Sequence, residues 1–111
     1  MTFSERVLAL CSKVPRGKVT TYREIAHALG SRSYRAVGQA LRHNEHPLAI
    51  PCHRVVASDS RLGGYAGKMN NKKKSDLLMK EGVNIKDNHI ENLKDCIVTS
   101  SQLKGSVRSH S

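Results

Sequence analysis

Ile50-Pro51-Cys52-His53-Arg54-Val55-Val56 sets a thiol between a proline and an imidazole, inside an apolar, β-branched run. Apolar flanks argue that the segment is buried. Pro51 fixes its own φ and pushes Ile50 into an extended conformation, which holds the thiol in one orientation. His53 and Arg54 follow at once, and proton-accepting or positive neighbours are what lower a thiol pKa. The segment reads as an activated cysteine. A buried structural cysteine beside a satisfied histidine fits the same adjacency, because the partner of a catalytic cysteine is normally distant in sequence.

The other two cysteines are Cys11 and Cys96. An odd count without regular spacing argues against a disulfide framework and against a zinc site. Cys11 lies on an apolar helical stripe and reads as a small core residue. Met1 to Ser12 lacks the basic start and long apolar run of a signal peptide, and no stretch approaches a membrane span. An intracellular, reducing setting suits an exposed reactive thiol: cytoplasmic, or nuclear in a eukaryote. The 111 residues carry 19 Lys plus Arg against 9 Asp plus Glu, a net charge of +10. Residues 1–86 hold 16 basic and 6 acidic side chains and residues 87–111 hold 3 of each, so all of the excess lies in the first part. A polyanion is the expected partner of that part, although charge alone also fits a highly charged protein with no nucleic-acid role.

The elements that must position these groups follow from pattern. Phe3 to Val14 reads as a helix capped by Ser4, with Val7, Leu8, Cys11 and Val14 on one side. Pro15-Arg16-Gly17 turns the chain into a short strand, Lys18 to Thr20. Thr21 and Glu24 form a capping box, and Tyr22, Ile25, Ala26 and Leu29 then recur at helical spacing up to Gly30, a natural C′ residue. Ser33 caps a second helix, Tyr34 to His43. Two short helices joined by a glycine-containing turn make a helix-turn-helix candidate, or an ordinary αα-hairpin. The second helix turns Arg35, Gln39 and Arg42 outward, while Ala36, Gly38 and Ala40 are small. Small residues suit close approach to a duplex groove and equally suit tight helix packing. Asn44 to Pro47 is a turn. Val55-Val56-Ala57, a turn at Ser58 to Ser60 and a return through Leu62 to Tyr65 read as a β-hairpin, placed like a wing. Asn70 or Asn71 caps a helix through Lys80, with Lys72, Lys73 and Lys74 crowding its first turn against the helix dipole, as a nearby anion or a solvated charge run would explain. His89 to Val98 allows one more helix, and Thr99 to Ser111 reads as a disordered tail.

Several of these segments, in order, resemble one family. Ile50-Pro51-Cys52-His53-Arg54-Val55 is similar to the active-site signature of the O6-alkylguanine-DNA alkyltransferases. Val14-Pro15-Arg16-Gly17-Lys18-Val19 and Thr21-Tyr22 resemble the entry to that family's helix-turn-helix. Arg35-Ala36-Val37-Gly38 through Arg42-His43-Asn44 resembles its recognition helix and the following turn. Gly64-Tyr65-Ala66-Gly67 and Lys80-Glu81-Gly82 resemble its substrate loop and closing helix. The resemblance covers roughly residues 3 to 86 and implies a mainly α fold with small β, a winged helix-turn-helix-like alkyltransferase domain over residues 1–86. Residues 87–111 would be a polar tail.

The resemblance also implies roles. Cys52 is the nucleophile, His53 its base through a bridging water, and Glu81 the group that orients His53. Asn44 ties the turn to the cysteine segment, and Tyr22 offers a proton or hydrogen bond to the guanine ring. Tyr22 equally reads as a core aromatic, and its apolar body and polar tip permit both. Tyr65 packs over the alkylated base. Ala66 and Gly67 offer backbone N–H groups toward O6, and Ala66 lacks the hydroxyl of the serine that the family often carries there. Arg35 fills the stack left by a flipped base, with Gly38, Gln39, Arg42 and Lys74 near DNA. The implied partner is duplex DNA containing O6-alkylguanine, met by a monomer without membrane, metal or cofactor. The implied reaction is a single irreversible transfer of the alkyl group to Cys52. Alkyltransferase-like proteins share this architecture and bind the lesion without transfer, with the cysteine replaced by Trp or Ala. A winged-helix DNA-binding regulator is the third reading, and it leaves Cys52, His53, Tyr65 and Asn44 unexplained.

Overall fold

The computed structural model describes residues 2–43, 50–62 and 72–105. Three helices open the chain: α1 (Phe3–Cys11), α2 (Tyr22–Ala28) and α3 (Tyr34–Arg42). The cap of α1 is Thr2 rather than Ser4. Its hydroxyl accepts from the Glu5 N–H while the Glu5 carboxylate accepts from the Thr2 N–H, a reciprocal box two residues earlier than the pattern suggested. Thr21 caps α2 as expected, accepting from the Glu24 N–H at 3.0 Å. The Glu24 carboxylate does not complete that box; it accepts the Ser100 N–H at 2.7 Å.

After α2, Gly30 takes φ +70, its N–H donates to His27 O, and the Ser31 N–H donates to Ala26 O. This Schellman closure turns the chain sharply into α3. Ser33 caps α3, which buries Val37, Ala40 and Leu41 against α1 and α2. The two consecutive helices therefore pack as the helix-turn-helix reading requires.

Beyond the second gap in described residues stands α4 (Lys72–Lys80), closed at Gly82 with φ +94. A 3₁₀ turn, Cys52–Arg54, leads into β2 (Val55–Val56), which pairs in parallel with β1 (Thr20–Thr21) in the register Thr20↔Val55 and Thr21↔Val56. This corrects the wing reading of Val55 to Ala57. Both valines are buried, and Val55 joins the core of α1, α2 and α3 while Val56 joins a second core with Val19, Leu62, Leu78, Val83 and Ile90. A strand buried on both faces belongs in a parallel interior pairing. The tight turn at residues 57–61 does form, through Ala57 N–H to Arg61 O at 2.8 Å. Its return, however, pairs Arg61 with His89 instead of with β2. The hairpin of this region is β3 (Ile85–Lys86) with β4 (His89–Ile90), joined by Asp87 and Asn88 at φ 52 and 62. Two positive φ values in a two-residue loop are those of a type I′ turn, which asparagine and aspartate tolerate. Residues 63–65 of the expected wing lie outside the described residues.

The largest departure is beyond residue 87. In place of a helix from His89 to Val98 and a disordered stretch from Thr99, the chain runs β4, α5 (Leu93–Cys96) and α6 (Ser100–Gly105). Val19 N–H donates to Cys96 O at 2.9 Å, Val98 N–H returns to Val19 O at 2.7 Å, and Thr20 Oγ1 donates to Val98 O at 2.7 Å. Leu103 is fully buried in the first core. Ile90, Leu93 and Ile97 at helical spacing suggested a single helix, while Val98 and Leu103, which anchor the segment to the first core, stand apart in a polar stretch.

Candidate active site

Pro51, at φ −77, presents Cys52 as the first residue of the 3₁₀ turn, with Cys52 N–H donating to Ile50 O at 2.7 Å and Arg54 N–H to Pro51 O at 2.9 Å. Cys52 is buried, and so is His53. Glu81 stands just past α4, where its N–H closes on Leu78 O. Its carboxylate Oε2 accepts from His53 Nε2 at 2.9 Å. The two residues lie 28 apart in sequence, and the fold brings them together because α4 ends against the cysteine segment.

The Val14-to-Gly17 turn lies against that end of α4. Arg16 Nη2 donates to Lys80 O at 3.2 Å, and a Cβ on Gly17, at φ +85, would meet Glu81 O at 3.2 Å. Arg54 reaches both sides: Nη1 donates to Val14 O at 2.9 Å, Nε to Glu81 Oε1 at 2.8 Å and Nη2 to Glu81 Oε2 at 2.8 Å. Arg54 was legible only as a positive neighbour of the thiol. Its two-pronged grip on Glu81 shows in no spacing. The donors on Glu81 outweigh the cost of its burial and hold its carboxyl down at about 2. Burial pushes the His53 imidazole below its ordinary value, against the raising influence of Glu81, so it stands neutral near pH 7.

Tyr22 opens α2, half-buried against the core that contains Cys52 and Cys11. Burial, reinforced by the two thiols, pushes its phenol up to about 12, so it keeps its proton at neutral pH. Cys11 is raised to about 12, chiefly by burial, which fits a structural thiol.

Lys74 is a correction. Expected near DNA, it is fully buried, with Nζ donating to Val55 O at 2.6 Å and lying 5.9 Å from the centre of the Tyr22 ring. One turn into α4, the 72–74 run splits: Lys72 and Lys73 face solvent, while the third lysine points inward. Burial lowers its amine to about 8, although Cys52 and Cys11 favour its charge. Its amine is spent inside the fold, on Val55 O and against the Tyr22 ring, and is not available to phosphate.

Arg35, Gln39 and Arg42 share one exposed face of α3. Gly38 sits between them, and a Cβ there would meet nothing within 4 Å among the described residues. Packing among the described residues therefore does not require the glycine. Asn44, Tyr65, Ala66 and Gly67 lie outside the described residues. Those residues contain no cluster of His, Cys, Asp and Glu able to hold a metal, and no helix long and apolar enough to cross a membrane.

Residues 2–83 match the family model described as the DNA-binding domain of 6-O-methylguanine DNA methyltransferase. The chain belongs to this family. It is 46% identical over 83 residues to a methylated-DNA–protein-cysteine methyltransferase of Methanothermobacter thermautotrophicus, covering 75% of this chain and 46% of that one. It spans about half the length of the curated relatives it matches. Among solved structures, S. pombe Atl1 in complex with damaged DNA containing O6-carboxymethylguanine superposes with a TM-score of 0.78 at 31% identity, over 87% of this chain and 94% of Atl1. The O6-methylguanine-DNA methyltransferase of Pyrococcus kodakaraensis strain KOD1 gives 0.66 at 43% identity, over 75% and 47%. As a family member the chain has a helical domain with a small β part.

Proposed function

We propose that this protein repairs DNA by moving an alkyl group from O6 of guanine in duplex DNA to Cys52, once per molecule. The observation that carries the proposal is the Cys52-His53 pair tied to Glu81 at 2.9 Å, with Tyr22 packed against the core that contains Cys52 and the buried Lys74 amine 5.9 Å from its ring. Neutral His53 takes the thiol proton, through a bridging water in the resemblance. Lys74 stabilises the thiolate that results. The sulfur attacks the O6-alkyl carbon, a C–S bond forms, the C–O bond breaks, and its electron pair stays on guanine. Tyr22, still protonated, donates to the ring as charge develops there. The product is a thioether, from which these residues offer no route back to thiol.

The target base must leave the duplex stack to meet a buried sulfur. The exposed Arg35–Gln39–Arg42 face of α3 docks on the duplex, with Arg35 in the vacated space. Lys72 and Lys73 add charge that draws phosphate. A second reading has a specific observation behind it: the match to Atl1 covers 94% of that protein, so this chain has its full architecture. In that reading the protein binds O6-alkylguanine and flags it without transfer. Cys52, which the transfer chemistry needs, favours the first.

The test is stoichiometric: incubation with duplex DNA labelled in the O6-methyl group. Up to one label per protein is expected to become protein-bound, and none with Cys52→Ser. Retained lesion binding with no transfer by the unaltered protein would establish the second reading.

A further inference from the structure

Arg54 follows the cysteine–histidine pair, yet its guanidinium turns away from a simple role beside the thiol. It spends its donors on both oxygens of Glu81 and on Val14 O. Glu81 Oε2 then receives two donors, Arg54 Nη2 and His53 Nε2. We propose that Arg54 is a positioning residue for the cysteine chemistry: by gripping Glu81 it keeps His53 a neutral base, with its proton on Nε2 and Nδ1 as the nitrogen that accepts the thiol proton. The inference rests on Cys52 being the reactive thiol, and on nothing about DNA.

The argument is one of charge and geometry. An ionised carboxylate has only acceptors, so the ring nitrogen 2.9 Å from it must carry hydrogen. A carboxylate alone beside a buried imidazole favours the imidazolium, and an imidazolium cannot take a proton from sulfur. The Arg54 cation balances Glu81, so the pair facing His53 is nearly neutral. Among the described residues, the other charged or titratable groups near His53 are Lys74 from α4 and the adjacent Cys52, and Lys74 also disfavours the imidazolium. Val14 O fixes the guanidinium from the turn after α1, so the fork cannot swing with Glu81. An arginine suits the task better than a lysine, because only its planar fork meets both carboxylate oxygens at once.

Two readouts test this without DNA, so a failure of alkyl transfer would bear on the role of Cys52 in repair and leave them intact. The first is nitrogen-15 NMR of the His53 ring in the unaltered protein. The Nε2–H tautomer is expected near neutral pH, and an Nδ1–H tautomer would overturn the proposal without any variant. The second is the pH dependence of Cys52 alkylation by iodoacetamide, followed on the Cys52 peptide by mass spectrometry. Arg54→Gln is expected to raise the His53 midpoint and to slow Cys52 labelling about tenfold at mildly acidic pH, the acid limb moving to higher pH. Arg54→Lys, which returns the charge without the fork, restores most of that rate. A purely structural arginine would lower stability in both variants and leave the profile and the His53 midpoint where they are, and that result would overturn the proposal.

Discussion

Replacing Lys74 by methionine should separate stability from reactivity. The side chain is fully buried, and its amine is held at about 8 against an ordinary 10.5. At about 1.4 kcal/mol per pH unit, keeping the ammonium in the interior at neutral pH costs about 3 kcal/mol. Methionine removes that cost but also removes the donor on Val55 O, worth about 1–3 kcal/mol when a buried carbonyl is left unsatisfied. Lys74→Met is therefore expected to range from neutral to about 2 kcal/mol more stable at pH 7 in urea unfolding. The sign with pH follows from the same numbers. Between pH 8 and 9 the unfolded chain keeps the lysine proton and the native chain loses it, so Lys74 contributes a rise of about 1 kcal/mol to the stability of the unaltered protein relative to Lys74→Met. In the same range the unfolded Cys11 thiol begins to ionise while the native one stays protonated to about 12, which lowers stability in both proteins and cancels in the difference between them. Lys74→Met should lack the rise between pH 8 and 9 and should label at Cys52 more slowly, having lost the neighbouring cation. A variant destabilised by more than about 1 kcal/mol at pH 7, or one that keeps the rise, would refute the reasoning.

Other expectations follow from single contacts. Leu103→Ala should cost about 2–4 kcal/mol in urea unfolding, because Leu103 fills the core shared by α1 and α2; a loss near zero would mean residues 100–105 are not part of the folded body. Gly17→Ala puts a Cβ 3.2 Å from Glu81 O at φ +85, so it should destabilise by about 1–2 kcal/mol and slow Cys52 labelling by moving the end of α4. Labelling at the unaltered rate would mean that Glu81 does not depend on that turn. Arg35→Ala should reduce binding to lesion-containing duplex more than to undamaged duplex, whereas neutralising Lys72 and Lys73 should weaken both and flatten the salt dependence. Equal losses in a filter-binding titration would remove the distinction.

Local signals made much of this molecule legible. Thr21, Gly30 and Ser33 mark helix ends by their own chemistry, and the helix-turn-helix stands where they put it. Cys52 and His53 are adjacent in the chain, and Glu81 was reached only through family resemblance, since nothing local distinguishes it from any charge at a helix end. What depended on distant partners was hidden. Val55-Val56 reads the same as a wing strand or as a buried parallel strand until β1 is beside it. Lys74 looks like one of three solvated lysines until α4 is turned toward Tyr22. Glu24 suited a local capping box, and a tertiary donor from Ser100 displaced that pairing. Residues 89–98 showed a helical period that the structure breaks into β4 and α5, because backbone pairing to Val19 rather than the apolar spacing sets the course of the chain there.

The central claim concerns one sulfur. Peptide mapping by mass spectrometry after incubation with duplex DNA containing O6-methylguanine, without added metal or cofactor, tests it most directly. The expected result is one added methyl group on the peptide bearing Cys52, with Cys11 and Cys96 unmodified. An unmodified Cys52 in protein shown to be bound to that same DNA would contradict it.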